Sequence, residues 1–199
     1  MKRVAIIPLK SDSVRLPRKN FKFINGKSLL DITIAKLVES DIDIIIISTD
    51  KKERVFHSLG ECNKPIFIFN RPEYLMGDAK TESVVMDVIN EIASRNIVKQ
   101  DEDYTIVLTQ VTSPTWKSHR LKSALDRIRR DIIDSVISVS PSYQPNGCFY
   151  VIDKSTFLKH YKFFTSNTYL VSLPWKESID IDYKYELYIA NSLEKNYYE

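Results

Sequence analysis

An α/β sandwich on a mainly parallel sheet is the fold class this sequence predicts, on three observations. Apolar, β-rich runs alternate with helical patterns along the chain. One run, Ile42–Ser48, is isoleucine at five of seven positions, the mark of a strand covered on both faces. Several runs end abruptly in polar or charged residues, and right-handed crossovers would gather those ends at one edge of the sheet.

Taken in order, Val4–Pro8 reads as a strand. Ser28 can cap a helix whose apolar side is Leu29, Leu30, Ile32, Ile34 and Leu37. Ile42–Ser48 is the second strand, Lys51–Leu59 a short helix and Pro65–Phe69 the third strand. Thr81–Ala93 carries Val84, Val85, Val88, Ile89 and Ile92 at helical spacing. Tyr104–Thr109 is the next strand, and Ser118–Arg130 an amphipathic helix with a basic side. Ser135–Val139 and Cys148–Ile152 are strands, and Tyr183–Leu193 closes the chain as a helix. The aromatic cluster of Tyr161–Tyr169 has neither rhythm and reads as cover for an apolar edge or a subunit contact. The tail from Lys195 to Glu199 reads as frayed.

Bulk properties narrow the function. The chain has 199 residues, the size of one domain, and no linker or repeat divides residues 1–199. A net charge of +3, with its cations local rather than striped along a helix, argues against a nucleic-acid partner. Cys62 and Cys148 lack metal-ligand spacing and fit idle thiols in a reduced, cytoplasmic setting. No run is long and apolar enough to span a bilayer, and the apolar run after Met1-Lys2-Arg3 is too short for a signal peptide. Only 4 glycines are present and neither GxGxxG nor GxxxxGK(S/T) occurs, which argues against a glycine-rich phosphate cradle. His57, His119 and His160 show no ligand spacing and read as ordinary histidines.

The chemistry concentrates at strand ends. After Val4–Pro8 come Lys10, Arg15, Arg18 and Lys19, mixed with Ser11, Asp12 and Ser13. A buried strand opening into a basic, hydroxyl-rich loop is a place to hold a polyanion such as a triphosphate. Arg71, with Asp78 beyond it, follows the third strand; Gln110 and Ser113 follow the fourth. In Asp180-Ile181-Asp182, alternate residues of an extended segment put both carboxylates on one side. Mg²⁺ is usually held by one or two carboxylates plus phosphate oxygens and water. Together these groups suit nucleotidyl transfer, in which the protein positions the reactants and neutralises charge. Asp50 reads instead as a strand terminator that caps the following helix. Trp116 and Trp175 read as packing residues near the cleft, with a wall of the acceptor site as the other reading for Trp175.

The loop IIPLKSDSVRLPRKN, followed by FINGKSLLDITI, IIIISTD, RPEYLMGD, TQVTSPTW, SVISVSP, PNGCFYVI and SIDID in that order, resembles the acylneuraminate cytidylyltransferases (CMP-sialic acid synthetases) and the related CMP-Kdo synthetases. The resemblance runs from residue 4 to about residue 190. It implies a three-layer α/β/α, Rossmann-like (GT-A-like) nucleotidyltransferase fold and a reaction of CTP with an acidic 2-keto sugar, with Mg²⁺ as cofactor and a homodimer as a possible assembly. It further implies that Lys10 touches phosphates, Asn20 the nucleotide, Arg71 the cytosine and ribose, Gln110 and Asn146 the acceptor, and Asp180 and Asp182 the metal. Lys10, Arg15 and Gln110 are the expected catalytic groups; Ser11, Ser13, Asp78 and Ser113 are expected beside the substrates.

The chain departs from the family pattern in three places. Val14 stands where the second loop cation is usual, with Arg15 beside it as the substitute. Ala79-Lys80-Thr81-Glu82 replaces small hydroxyl residues near the base. Only Pro141–Pro145 lies where the sialate enzymes carry an arm of roughly thirty residues. These departures leave open another small acidic acceptor, such as a phosphonate or sugar phosphate, another base, or a silent nucleotide-binding homologue.

Overall fold

The structure, a computed structural model, describes residues 1–195 apart from Asp12, Asp78 and Asp131, without the side chains of His57, Ser58, Glu194 and Lys195. The expected alternation is present: β1 (Lys2–Leu9), α1 (Leu29–Glu39), β4 (Ile44–Thr49), α2 (Lys52–Ser58), β5 (Ile66–Asn70), α3 (Thr81–Ser94), β6 (Tyr104–Leu108), α4 (Ser118–Arg130), β7 (Ser135–Val139), β8 (Pro145–Asp153) and α6 (Lys184–Lys195). Ser28 caps α1 as its sequence suggests, its side chain accepting from the Asp31 N–H. Three elements go beyond the sequence expectation: a small hairpin of β2 (Phe23–Ile24) and β3 (Lys27–Ser28), α5 (Lys154–His160), and β9 (Thr168–Ser172). Part of the aromatic cluster therefore lies in a strand.

The main sheet has seven strands in the order β5-β4-β1-β6-β8-β7-β9. The first four are mutually parallel, and β8 runs antiparallel to both β6 and β7. Strand alternation explains the three layers. On β1, Ala5, Ile7 and Leu9 pack with α1 and α4, whereas Val4 and Ile6 pack with Val85, Val88, Ile89 and Ile92 of α3. The β4 isoleucines divide in the same way, Ile45 and Ile47 to one side and Ile44 and Ile46 to the other. Both faces are thus sealed, which is why that strand reads as a continuous apolar run. Trp116 packs edge-on against Phe149 in the core, whereas Trp175, expected to pack, is 57% exposed.

Successive strands extend outward from β1 to β4 and β5, and the chain then returns to place β6 on the other side of β1. That reversal opens a crevice at the carboxyl ends of the parallel strands. Where the resemblance implied an arm, β7 and β8 are joined by a tight turn in which the Ser140 N–H donates to Gln144 O over 2.8 Å and Tyr143 has φ 60°. Among the described residues, no helix is long and apolar enough to cross a membrane.

Candidate nucleotide site

At the crevice lies a cleft of about 420 Å³. The loop after β1 supplies Lys10, Ser13, Val14, Arg15, Lys19 and Asn20 to its wall. Arg71 enters after β5, Thr81 and Val84 from α3, and Gln110 and Thr112 from the segment after β6.

The loop is shaped from within. Ser11 donates through its N–H and its hydroxyl to the two oxygens of Asp50, over 2.8 and 2.5 Å. Asp50 therefore holds the loop rather than capping α2, whose first residues have no side-chain cap. Burial works to raise the Asp50 carboxyl, but the Ser11 hydroxyl and N–H, with the charge of Arg71, hold it below the ordinary range. Asn20 Nδ2 donates to the Lys10 carbonyl over 2.8 Å, and Lys10 Nζ donates to Gly77 O.

The far end of the cleft is acidic. Ile181 is fully buried, and its N–H donates to Thr112 O over 2.8 Å. This anchor places the flanking Asp180 and Asp182 beside the basic loop. Asp182 is paired with Arg15 Nη1 at 2.7 Å and Lys19 Nζ at 2.6 Å. Glu186 of α6 reaches back and accepts from the N–H groups of Asp182 and Tyr183, over 2.6 and 2.7 Å, so the acidic segment is held from both sides. Asp180 still meets solvent, but crowding strips enough of its hydration to raise its carboxyl; a Thr112 hydrogen bond and Lys19 act downward, Asp182 and Glu186 upward.

Arg71 is 4% exposed. Its Nη2 donates to Ser48 O over 2.9 Å and its Nε to Ser48 Oγ over 3.4 Å. Burial lowers its guanidinium; the charges of Asp50 and Asp87 act in the opposite direction.

The structure brings Lys10, Ser13, Arg15, Asn20, Arg71 and Gln110 to one cleft, with Asp180 and Asp182 at its end. Three expected residues turn elsewhere. Ser11 faces Asp50. The Ser113 hydroxyl is buried and donates to Asn146 O over 2.8 Å. Asn146 is buried among Ser138, Cys148 and Ser178: its Oδ1 accepts from Ser138 Oγ and the Cys148 N–H, and its Nδ2 donates to Ser178 Oγ. A polar side chain so fully occupied holds β7, β8 and the segment before Asp180 together rather than facing a ligand. Asp78 lies outside the described residues. Lys19 reads in the sequence only as one of the loop cations, and Thr112 has no role of its own there. The signal for Lys19 is its place in the Lys-Asn pair that closes the loop motif; for Thr112 only the fold reveals the contact.

Gly147 has φ +73°, and a Cβ there would stand 2.8 Å from both Gln110 Oε1 and Ser113 Oγ. Gly147→Ala is therefore expected to destabilise the chain by about 1–3 kcal/mol and to move Gln110 from the cleft wall. Urea denaturation checks the first effect, and the amide chemical shifts of Gln110 the second.

A three-layer sheet with a cation-lined cleft at its switch point and a carboxylate pair beside it is the architecture of the nucleotidyltransferase α/β fold. Residues 4–142 match the cytidylyltransferase family model, and the chain belongs to that family. An N-acylneuraminate cytidylyltransferase of Streptococcus agalactiae is 27% identical over 219 aligned residues, covering 92% of this chain and 51% of its own. A CMP-N,N'-diacetyllegionaminic acid synthase of Legionella pneumophila is 32% identical over 153 residues, covering 74% of this chain and 62% of its own. The chain thus spans about half the length of the streptococcal relative. Among solved structures, a CMP:2-keto-3-deoxy-manno-octonic acid synthetase complexed with CTP superposes with TM-score 0.74 at 13% identity, over 99% of this chain and 100% of its own.

Proposed function

We propose that the chain transfers CMP from CTP to an acidic 2-keto sugar of the sialate or Kdo type, with release of pyrophosphate and with Mg²⁺ as cofactor. The observation that supports it is the clasp of Arg15 and Lys19 on Asp182 beside Asp180, which joins two cations of the cleft wall, suited to phosphate, to two carboxylates suited to a metal ion.

Among the described residues, no group of three or more His, Cys, Asp and Glu side chains could hold a metal alone. Two hard oxygen carboxylates fit Mg²⁺ when a triphosphate completes the coordination. Asp180 and Asp182 would hold the ion, which would supply Lewis-acid neutralisation of phosphate charge. The protein groups do the rest. Lys10, Lys19 and Arg15 bind the phosphates, and Arg71 and Asn20 orient the nucleotide. Gln110 faces the acceptor. The acceptor's hydroxyl oxygen forms a bond to the α-phosphorus, and the bond from that phosphorus to the bridging oxygen breaks. Pyrophosphate leaves with the electron pair, and the hydroxyl proton passes to water in the open cleft.

The test is pyrophosphate release from CTP, UTP, ATP and GTP with Mg²⁺ and a panel of 2-keto sugar acids, phosphonates and sugar phosphates. Release from CTP with a keto sugar acid supports the reading. Release only with another base or acceptor class overturns that part, and binding of CTP without turnover favours a silent homologue. Lys19→Met is expected to raise KM for CTP by about 10- to 100-fold, the worth of one charge-assisted phosphate contact. Initial rates against CTP concentration check it.

A further inference from the structure

We propose that the Tyr183–Tyr185 pair at the amino end of α6 is the platform that seats the acceptor sugar, with Arg15 held beside it to meet the acceptor's carboxylate. The inference rests on the transfer reading above and names a subsite for it.

The cleft has two ends. Three of the lining residues, Arg15, Lys19 and Thr112, meet Asp180 or Asp182 and so mark the acidic end, whereas Arg71 is turned to Ser48 of β4. If the carboxylates hold the metal-bound phosphates, the second substrate must arrive at the acidic end. The chain immediately beyond Asp182 presents two tyrosines. Their rings are nearly parallel, with centroids 5.9 Å apart and planes inclined by 10°. They are 44% and 58% exposed, so this aromatic surface is left wet. An exposed, ordered aromatic pair beside a charged site is a surface for a ligand with one apolar face. A pyranose ring has such a face in its axial C–H groups.

The pair is held in place. Glu186 accepts from the Tyr183 N–H over 2.7 Å, and a hydrogen bond with that same carboxylate raises the Tyr185 phenol. The Arg15 guanidinium lies 5.5 Å from the Tyr183 ring centre and 2.7 Å from Asp182, and its side chain is 55% exposed. A guanidinium has five N–H donors in a planar fork, so Arg15, with contacts to Asp182 and to the Tyr183 hydroxyl, keeps donors for a phosphate oxygen and for the acceptor's carboxylate together. Ring and fork together match an acidic sugar: apolar face on Tyr183, carboxylate on Arg15.

The experiment uses the intact chain with N-acetylneuraminate and Kdo as probes. KM for each probe and for CTP is measured separately in Tyr183→Ala, Tyr185→Ala and Tyr183→Phe, with thermal melts to confirm folding. N-acetylneuraminate is also titrated calorimetrically into protein saturated with Mg²⁺ and a non-hydrolysable α,β-methylene CTP analogue. Tyr183→Ala is expected to raise the acceptor KM and Kd about tenfold or more while the KM for CTP stays within about twofold; Tyr183→Phe, which keeps the ring, stays near the parent. An acceptor KM unchanged in both alanine variants, with an active parent, overturns this inference alone. A rise in KM for CTP instead assigns the pair to the nucleotide and also overturns it. A parent protein that neither turns over nor binds either probe overturns the transfer reading with it.

Discussion

Replacing Asp180 and Asp182 together by Asn is expected to abolish pyrophosphate release, a loss on the order of a thousandfold or more, while leaving the fold intact. The segment is placed by buried Ile181 and its bond to Thr112 O, which Asn at the neighbouring positions retains. The single changes separate two effects on stability. Asp180 has a folded-state value raised above its unfolded one, chiefly by lost hydration. Such an acid costs stability wherever it is ionised in both states. The cost is absent below the ordinary carboxylate range and grows as pH rises through the window up to the raised value. Asp180→Asn should therefore melt above the parent at neutral pH, with the difference shrinking on acidification through that window. Asp182→Asn loses its ion pairs with Arg15 and Lys19 instead; the partly buried pair with Lys19 is worth about 0.2–1 kcal/mol. A residue whose removal stabilises the chain and destroys turnover is there for the chemistry. Melts across pH beside rate measurements check both points, and a double variant with normal turnover excludes the pair from the reaction.

Arg71→Met is expected to cost about 1–3 kcal/mol and to abolish measurable CTP binding, because it leaves the buried Ser48 carbonyl and hydroxyl without the guanidinium and removes the positive charge near Asp50 and Asp87. The guanidinium donates to Ser48 O and Ser48 Oγ and faces Asp50 and Asp87. Asp87 Oδ2 is itself buried without a hydrogen-bond partner, and burial, more than the charge of Glu91, already raises that carboxyl. Without Arg71 it rises further, so the variant should lose more stability as pH climbs from acid to neutral. Arg71→Lys keeps a charge but not the planar fork, and should recover only part of both losses. Urea melts at several pH values and calorimetric CTP titration measure the effects. A variant as stable as the parent would mean that the network carries little energy.

Much of this was legible in the chain because the relevant signals are local. Ser28 and Asp31 stand three residues apart, and the isoleucines of β4 need only a covered face on each side to read as they do. The basic loop declares itself because buried strand and cations are adjacent. Elements without a buried face were invisible: β9 is an edge strand that is mostly exposed, and β2 and β3 have two residues each. Polar partners across the fold were the other gap. Asp50 binds Ser11 39 residues away, and Lys19 meets Asp182 across 163. Asn146 reads as an acceptor ligand from its motif, yet Ser138, Cys148 and Ser178 occupy it, a network that exists only once β7 and β8 pair.

The central claim is that the Lys10–Lys19 loop and the Asp180–Asp182 pair serve one metal–triphosphate complex. Calorimetric titration of CTP into the parent and into the Asp180→Asn/Asp182→Asn variant, each with saturating Mg²⁺ and again with EDTA, tests it directly. The account predicts that Mg²⁺ tightens CTP binding by about tenfold or more in the parent and not in the variant. In EDTA the variant should bind CTP at least as tightly as the parent, since Arg15 and Lys19 no longer have Asp182 as a competitor for phosphate. Equal affinities in the parent with and without Mg²⁺, unchanged in the variant, would contradict it.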